Sequence, residues 1–355
     1  MNSGRRERLR RAIPDHLDGF LVTDPADIRY LTGFSGSNAA LFVSSEGSDG
    51  DIFSTDGRYV DQAAAQCSDL GVLVARDCVG AVGRQCVAQG ASAIGLDVTS
   101  TVGMLTSIEH TGLTTHVSNS PVKALRQAKD PAEIRSLERA CDITTRALDQ
   151  LASEIREGDT EIKVARRLEQ LFGECGAEDR SFPTIVASGE NAAKPHHEPS
   201  ERQLGTGDLL IIDCGALVDG YHADMTRTFI VGEPAPWQRD LHALVAQAAE
   251  AGRSAVRPGA ALADLDAAAR SVIEEAGYGT QFVHGLGHGI GLDIHEAPMI
   301  SARSEGRLSA ETTITVEPGV YLPGRGGVRI EDSLLVTADG HRSLTSSPRD
   351  LRVVG

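Results

Sequence analysis

The chain has 355 residues, 34 Lys and Arg against 50 Asp and Glu, a formal net charge of −16, and 41% hydrophobic residues. This length exceeds the size at which single cores stop growing, so two packed domains are expected. The acidic balance argues against a nucleic-acid or anionic-membrane surface, which needs clustered Lys and Arg, and no run approaches the ~18 apolar residues of a membrane span.

The opening segment, MNSGRRERLRRAIPDHLDGF, is basic and lacks an apolar core before a small-residue cleavage site. It reads as a short helix rather than a signal peptide. Six cysteines (Cys67, Cys78, Cys86, Cys141, Cys175, Cys214) are scattered without a C-x-x-C pair. A reducing, cytoplasmic location is the simplest expectation. Residues 17–125 alternate short apolar runs such as NAALFVSS with Gly, Asp and Ser punctuation and helical patterns, which predicts an α/β domain. It carries neither a phosphate loop nor a dinucleotide fingerprint.

A joint is predicted near residue 129, dividing the chain into 1–128 and 129–355. Asp130 is a good helix N-cap, Pro131 fits the first helical position and Glu133 sits at N3. Apolar residues then recur at helical spacing through Ile155. The second domain reads as internally doubled. A helix over 131–155 and one in GDTEIKVARRLEQLFGECG precede the run FPTIVASG and the strand pair DLLIIDCGALVDG and YHADMTRTFIVG. A helix over about 236–256 and one in RPGAALADLDAAARSVIEEAGYG then precede VHGLGHGIG and the pair TTITVEPGVYLPG and GGVRIEDSLLVTADG. Two similar sheets facing each other would present side chains to one central site.

Five residues mark that site: Asp213, Asp224, His288, Glu317 and Glu331. LLIIDCG, TITVEPG and VRIEDSLLV place acids within apolar strand runs. One such acid alone would more often face water, but four at matching positions need a partner if buried. Two divalent ions would balance four carboxylates, with a neutral His completing a nitrogen and oxygen set that suits Mn, Co, Fe or Zn. In VHGLGHGIGLDIHEAP, the glycines around His284, His288 and His295 argue against a helix and would permit close approach of backbone and substrate to a metal. His196 lies in the polar loop NAAKPHHEPS.

Together the motifs TIVASGENAAKPHH, IIDCGALVDGYHADMTRTF, HGLGHGIGLDIHE, TVEPGVY and GVRIED resemble, in order, those of the creatinase, prolidase and aminopeptidase P family of metallopeptidases. YLTGFSGSNAALFV with TDGRY is similar to that family's N-terminal domain. The resemblance implies an α+β catalytic domain of the pita-bread type with a pseudo-two-fold repeat, following the α/β domain. It implies two divalent ions per subunit, manganese first among the alternatives. Asp213 would bind one ion, His288 and Glu317 the other, and Asp224 and Glu331 would bridge both. His284 and His295 would hold the substrate carbonyl, Glu317 would accept a proton from water, and His196 would shuttle a proton near the scissile amide. Arg329, two residues before Glu331, shares its face if the segment is a strand; it either lines the pocket or forms a supporting salt bridge. The implied substrates are short proline-containing peptides, cut before proline, and a homodimer is implied. Some prolidases of the family it resembles carry an Arg shortly after the matching run; here HEAPMIS offers Met299 and no Arg before Arg303, so the resemblance favours an Xaa-Pro aminopeptidase over an Xaa-Pro dipeptidase. A creatinase-like amidinohydrolase and a non-catalytic peptide-binding scaffold are the remoter readings.

Overall fold

The structure, a computed structural model, describes residues 2–355 and divides into two compact units that meet in sequence at Arg126 and Gln127. The first unit contains α1 (Asn2–Ala12), β1 (Gly19–Val22), α2 (Pro25–Thr32), β2 (Ala39–Ser44), β3 (Ile52–Thr55), α3 (Val60–Gln66) and β4 (Val72–Val74). It continues through α4 (Cys78–Ala88), β5 (Ala93–Asp97), α5 (Val102–Glu109), β6 (Thr114–Ser118) and α6 (Pro121–Gln127), the last of which runs up to the joint. The six strands form one mixed sheet ordered β4-β3-β2-β1-β5-β6. The apolar runs GFLV and IFST are buried along their whole length, as strands covered on both faces must be. The basic opening segment is helical, and Arg6 of α1 is buried against Asp51 and Asp69.

The second unit opens with α7 (Pro131–Glu154) and α8 (Glu161–Glu174). The start of α7 is a full capping box: the Asp130 side chain accepts from the Ala132 and Glu133 amides, and the Glu133 carboxylate accepts from the Asp130 amide. Next come β7 (Asp179–Arg180), β8 (Ile185–Ser188), β9 (Leu209–Cys214), β10 (Ala216–Val218), β11 (Tyr221–His222) and β12 (Met225–Val231). Then follow α9 (Pro236–Ala255), α10 (Leu262–Glu275), β13 (Gly287–Gly289), β14 (Glu296–Ile300), β15 (Thr313–Val316), β16 (Gly319–Leu322), β17 (Gly326–Arg329), β18 (Asp332–Val336), β19 (His341–Ser343) and β20 (Arg352–Val354).

The doubling is explicit. Each half has two helices and an antiparallel strand pair, β9 with β12 and β15 with β18, each interrupted by a smaller hairpin, β10–β11 or β16–β17. The sheets are β20-β12-β9-β8 and β14-β13-β15-β18-β19. Two apolar cores back the sheets, one around Leu148, Leu168, Phe172 and Ile212, the other around Val245, Leu265, Ile273 and Ile314 and including Leu209 and Ile230 of the first half. The halves are joined by bonds between the inner strands: the Glu331 amide donates to Thr226 O (3.1 Å), and Ser333 Oγ donates to Asp224 O (2.7 Å). Among the described residues no helix is long and apolar enough to cross a membrane.

The capping box gives a direct test. Asp130→Ala removes the acceptor for two amides at the start of α7 and is expected to cost about 1–2 kcal/mol of unfolding free energy, measured by denaturant titration. An unchanged midpoint would show that the cap is dispensable.

Candidate metal centre

The strand register explains why the four acids meet. In the first half Asp213 pairs with Thr226, which places Asp213 near the end of β9 and Asp224 just ahead of β12. In the second half Val316 pairs with Asp332, so Glu317 and Glu331 occupy the matching positions one residue outside the ladder. His288 lies in the middle of β13, which runs between β14 and β15. Its flanking glycines serve this squeeze: a Cβ on Gly287 would lie 2.1 Å from Thr315 O, and one on Gly289 would lie 2.3 Å from Ala297 O. Backbone approach between strands is therefore what these two glycines permit, and Gly287 also lines the cavity.

Asp224, His288 and Glu331 are buried, and one ligand atom from each lies within 4.8 Å of the others. His288 Nε2 lies 3.6 Å from Asp224 Oδ2 and 3.5 Å from Glu317 Oε1. The opposite ring nitrogen, Nδ1, is 3.0 Å from Gly289 O. A carbonyl only accepts, so Nδ1 carries the proton. Burial lowers the pKa of His288 to about 4, which leaves Nε2 as a bare lone pair at neutral pH. That lone pair faces two carboxylates. Three acceptors turned toward one point repel unless a proton or a metal cation lies between them.

The orphaned atoms agree. Asp213 Oδ1 and Asp224 Oδ1 are buried with no hydrogen-bond partner, in a protein where such groups are rare. Burial first, and then the charges of Glu331, Asp213 and Glu317, push Asp224 well above the carboxylate range. Glu331 is driven up by burial, Glu317 and Asp213. Glu317 is driven up to about 8 by burial, with Arg329 pulling against it. The donor set fits divalent cations on these grounds.

The second layer is also defined. Arg329, 3% exposed, donates Nη2 to Asp213 Oδ2 (2.8 Å), Nη1 to Tyr321 Oη (2.8 Å) and Nε to Thr226 Oγ1 (3.1 Å). It also lines the cavity, so the pocket-lining and salt-bridge readings both describe it. Thr226 in turn donates to Glu331 Oε2 (2.7 Å), and Thr315 donates to Glu317 Oε1 (3.4 Å). His284 has both ring nitrogens engaged, Nδ1 with Gly285 O (2.8 Å) and Nε2 with Tyr321 Oη (2.9 Å). His295 is exposed and its ring meets that of His288 edge-on at 4.4 Å. His196 is exposed on the loop that forms another wall. All nine residues singled out in the sequence line one cavity of about 540 Å³. Its apolar walls are Phe182, Pro183, Ile185, Ile294, Met299 and Ile300.

Sequence reasoning missed Tyr321, Thr226 and Glu161. Tyr321 was accessible from the hairpin GVYLPGRGGVR: the register Gly319↔Arg329 and Tyr321↔Gly327 makes Tyr321 a same-face diagonal neighbour of Arg329.

The second unit carries the sequence pattern described as "Metallopeptidase family M24" over residues 135–338, and residues 5–128 match "Creatinase/Prolidase N-terminal domain". The chain belongs to metallopeptidase family M24. Its catalytic unit is the pita-bread fold of that family, and the chain is accordingly a hydrolase. A solved "Xaa-Pro dipeptidase from Bacillus anthracis" superposes with a TM-score of 0.96 at 36% identity, covering 100% of both chains. The X-Pro aminopeptidase from Thermotoga maritima MSB8 gives 0.89 at 34% identity over 98% of this chain and 100% of that one. An Xaa-Pro dipeptidase of Pyrococcus furiosus is 44% identical over 230 residues, 65% of this chain and 66% of that protein, just under two thirds of its length. As an M24 member the chain is expected to bind divalent metal at this centre.

Two tests follow from the electrostatics. Asp224, Glu317 and Glu331 hold protons more tightly in the metal-free fold than the unfolded chain does. The metal-free fold therefore loses stability as pH rises from about 4.5, where unfolded carboxyls ionise, toward about 8. The gap in Tm between metal-loaded and chelated protein is expected to widen between about pH 5 and about pH 8.5; a constant gap would contradict the account. Asp224→Asn removes one of the repelling charges. It is expected to lower bound metal, measured by elemental analysis, while raising the Tm of the chelated protein at alkaline pH. Unchanged metal content would remove Asp224 from the ligand set.

Proposed function

We propose that this chain hydrolyses the peptide bond on the amino side of proline in short peptides. The observation that carries the reading is the meeting, in a single cavity, of an apolar wall with four carboxylates and one histidine, of which Asp224, His288 and Glu331 are buried and Asp213 and Glu317 half-buried. Asp213 and Asp224 would hold one divalent ion; Asp224, His288, Glu317 and Glu331 the other, with Glu331 also reaching the first. Manganese is our first choice over cobalt, iron and zinc. When bound, such ions supply Lewis-acid polarisation of the scissile carbonyl and acidify water.

The side chains divide the remaining work. His295, whose ring stands beside His288, donates to the carbonyl oxygen as charge develops there. His284 can join it only by giving up its contact with Tyr321. Glu317 takes the proton released when water adds to the carbonyl carbon. His196 delivers a proton to the departing proline nitrogen, which leaves as a secondary amine. Proline offers no N–H to a site that reads backbone donors, and its ring fixes φ; the wall of Phe182, Ile185 and Ile294 suits that ring. Six free thiols, five of them buried, support a reducing, cytoplasmic compartment.

Peptide length divides the reading. A dipeptide ends in a proline carboxylate that needs a cation. Among the described residues Arg329 is the one Lys or Arg lining the cavity, and it is committed to Asp213. That favours an Xaa-Pro aminopeptidase, which cuts after residue one of longer peptides. The names of the Bacillus and Pyrococcus relatives favour the second reading, an Xaa-Pro dipeptidase. Mass spectrometry of an Xaa-Pro dipeptide and an Xaa-Pro-Xaa tripeptide, with manganese and after chelation, separates them. Chelator-sensitive cleavage of the tripeptide is the expected result; cleavage of the dipeptide alone would establish the second reading, and cleavage of neither by metal-loaded protein would end both.

A further inference from the structure

Outside the metal centre, one buried carboxylate gathers more hydrogen bonds than any ligand described above. Glu161, the first residue of α8, is fully buried. Its Oε1 accepts from the Ser188 amide (2.8 Å), Ser188 Oγ (2.7 Å) and Asn191 Nδ2 (3.1 Å). Its Oε2 accepts from His197 Nε2 (2.8 Å), the Ser200 amide (3.0 Å) and Ser200 Oγ (2.6 Å). The first set belongs to the end of β8 and the turn after it; the second belongs to the loop that follows. Burial opposes ionisation of Glu161, but the bonds from Ser200, His197, Ser188 and Asn191 bring its pKa down to about 2. The group is therefore an accept-only anion throughout the neutral range.

The loop needs such an anchor. Residues 195–200 are neither helix nor strand, yet Pro195, His196, His197, Glu198 and Pro199 all line the cavity. The loop is held at its start by Arg329, which donates Nη1 to Pro195 O (3.3 Å). Beyond that point the bonds to His197 and Ser200 run to Glu161, and the Ile162 amide donates to Ser200 O (3.2 Å). His196 lies in the chain between these two attachments, exposed at the cavity wall.

We infer that Glu161 is the positioning residue for His196, clamping the 195–200 loop to β8 so that the imidazole is held at the cavity wall. This rests on the role given to His196 under the proposed function. Preorganisation of this kind acts on the chemical step, because a displaced proton donor loses part of its contribution while the metal ligands stay in place.

Glu161→Gln is the test. Glutamine keeps the shape but puts an NH₂ donor where an oxygen now accepts three donors, so either the β8 side or the loop side is released. Three readouts are compared across wild type, Glu161→Gln, His196→Ala and the double variant. Bound metal and global Tm report on the fold. Hydrogen–deuterium exchange across residues 190–202, which needs no substrate, reports on the clamp. The kcat for an Xaa-Pro-Xaa tripeptide reports on the chemistry. Glu161→Gln is expected to retain metal, to speed exchange in the loop, and to lower kcat at least about tenfold, part of the roughly 10²–10⁴-fold that a placed proton donor contributes. In the His196→Ala background it is expected to cause no further loss, since the two act as one unit. Unchanged exchange, or losses that simply add, would overturn the inference. If Glu161→Gln fails to fold, Ser200→Ala, which removes one of the loop's bonds to Glu161 and the acceptor of the Arg202 amide, carries the same comparison with a smaller effect. A wild type that exchanges as expected but cleaves no proline peptide would refute the proposed function and, with it, the role of His196, while leaving the clamp measured separately by exchange.

Discussion

The centre of the catalytic unit is a problem of like charge. Four carboxylates converge on a neutral imidazole whose bare nitrogen faces two of them, and one arginine is the fixed cation among them. At the short separations involved, and away from bulk water, such charges repel strongly. The metal-free chain can relieve this only by holding protons, as the raised pKa values of Asp224, Glu317 and Glu331 show. Divalent cations relieve it without protons. The rest of the unit holds these groups close in spite of that repulsion.

The doubled topology does the holding. Each strand pair delivers one acid at the end of its first strand and one just before its second. The two cores behind the sheets are distinct clusters, and the second reaches across to Leu209 of β9 and Ile230 of β12, so it also ties the halves together. The seam between halves is stitched by backbone and hydroxyl bonds from β12 to the region of β18, and by a buried ion pair: Arg227, 2% exposed, donates Nη2 to Asp332 Oδ1 at 2.8 Å. Asp332 is the residue after Glu331, so this pair fixes the strand that carries a bridging candidate. A buried pair of this kind is strongly destabilising to break, because removing one partner leaves an uncompensated buried charge.

Much of this was legible in the sequence, for identifiable reasons. The α7 cap was readable because Asp130, Pro131 and Glu133 act locally. The repeat was readable because helix and strand periodicities recur in the same order. The acids stood out because charge is scarce inside apolar strand runs. What could not be read depended on partners far along the chain. Glu161 looks like an ordinary first-turn acid, and its partners lie 27 to 39 residues away. His284 looked like a free donor until its contact with Tyr321, 37 residues on, was seen. Arg329 presented two readings that the fold shows to be one, since the guanidinium that lines the cavity is also the one that grips Asp213.

We propose that the carboxylate cluster holds two metal ions. Anomalous diffraction at the manganese edge, from crystals of the whole chain grown with manganese, tests it most directly. Two neighbouring anomalous peaks enclosed by Asp213, Asp224, His288, Glu317 and Glu331 are expected. A single peak there, or peaks only elsewhere on the chain, would contradict it.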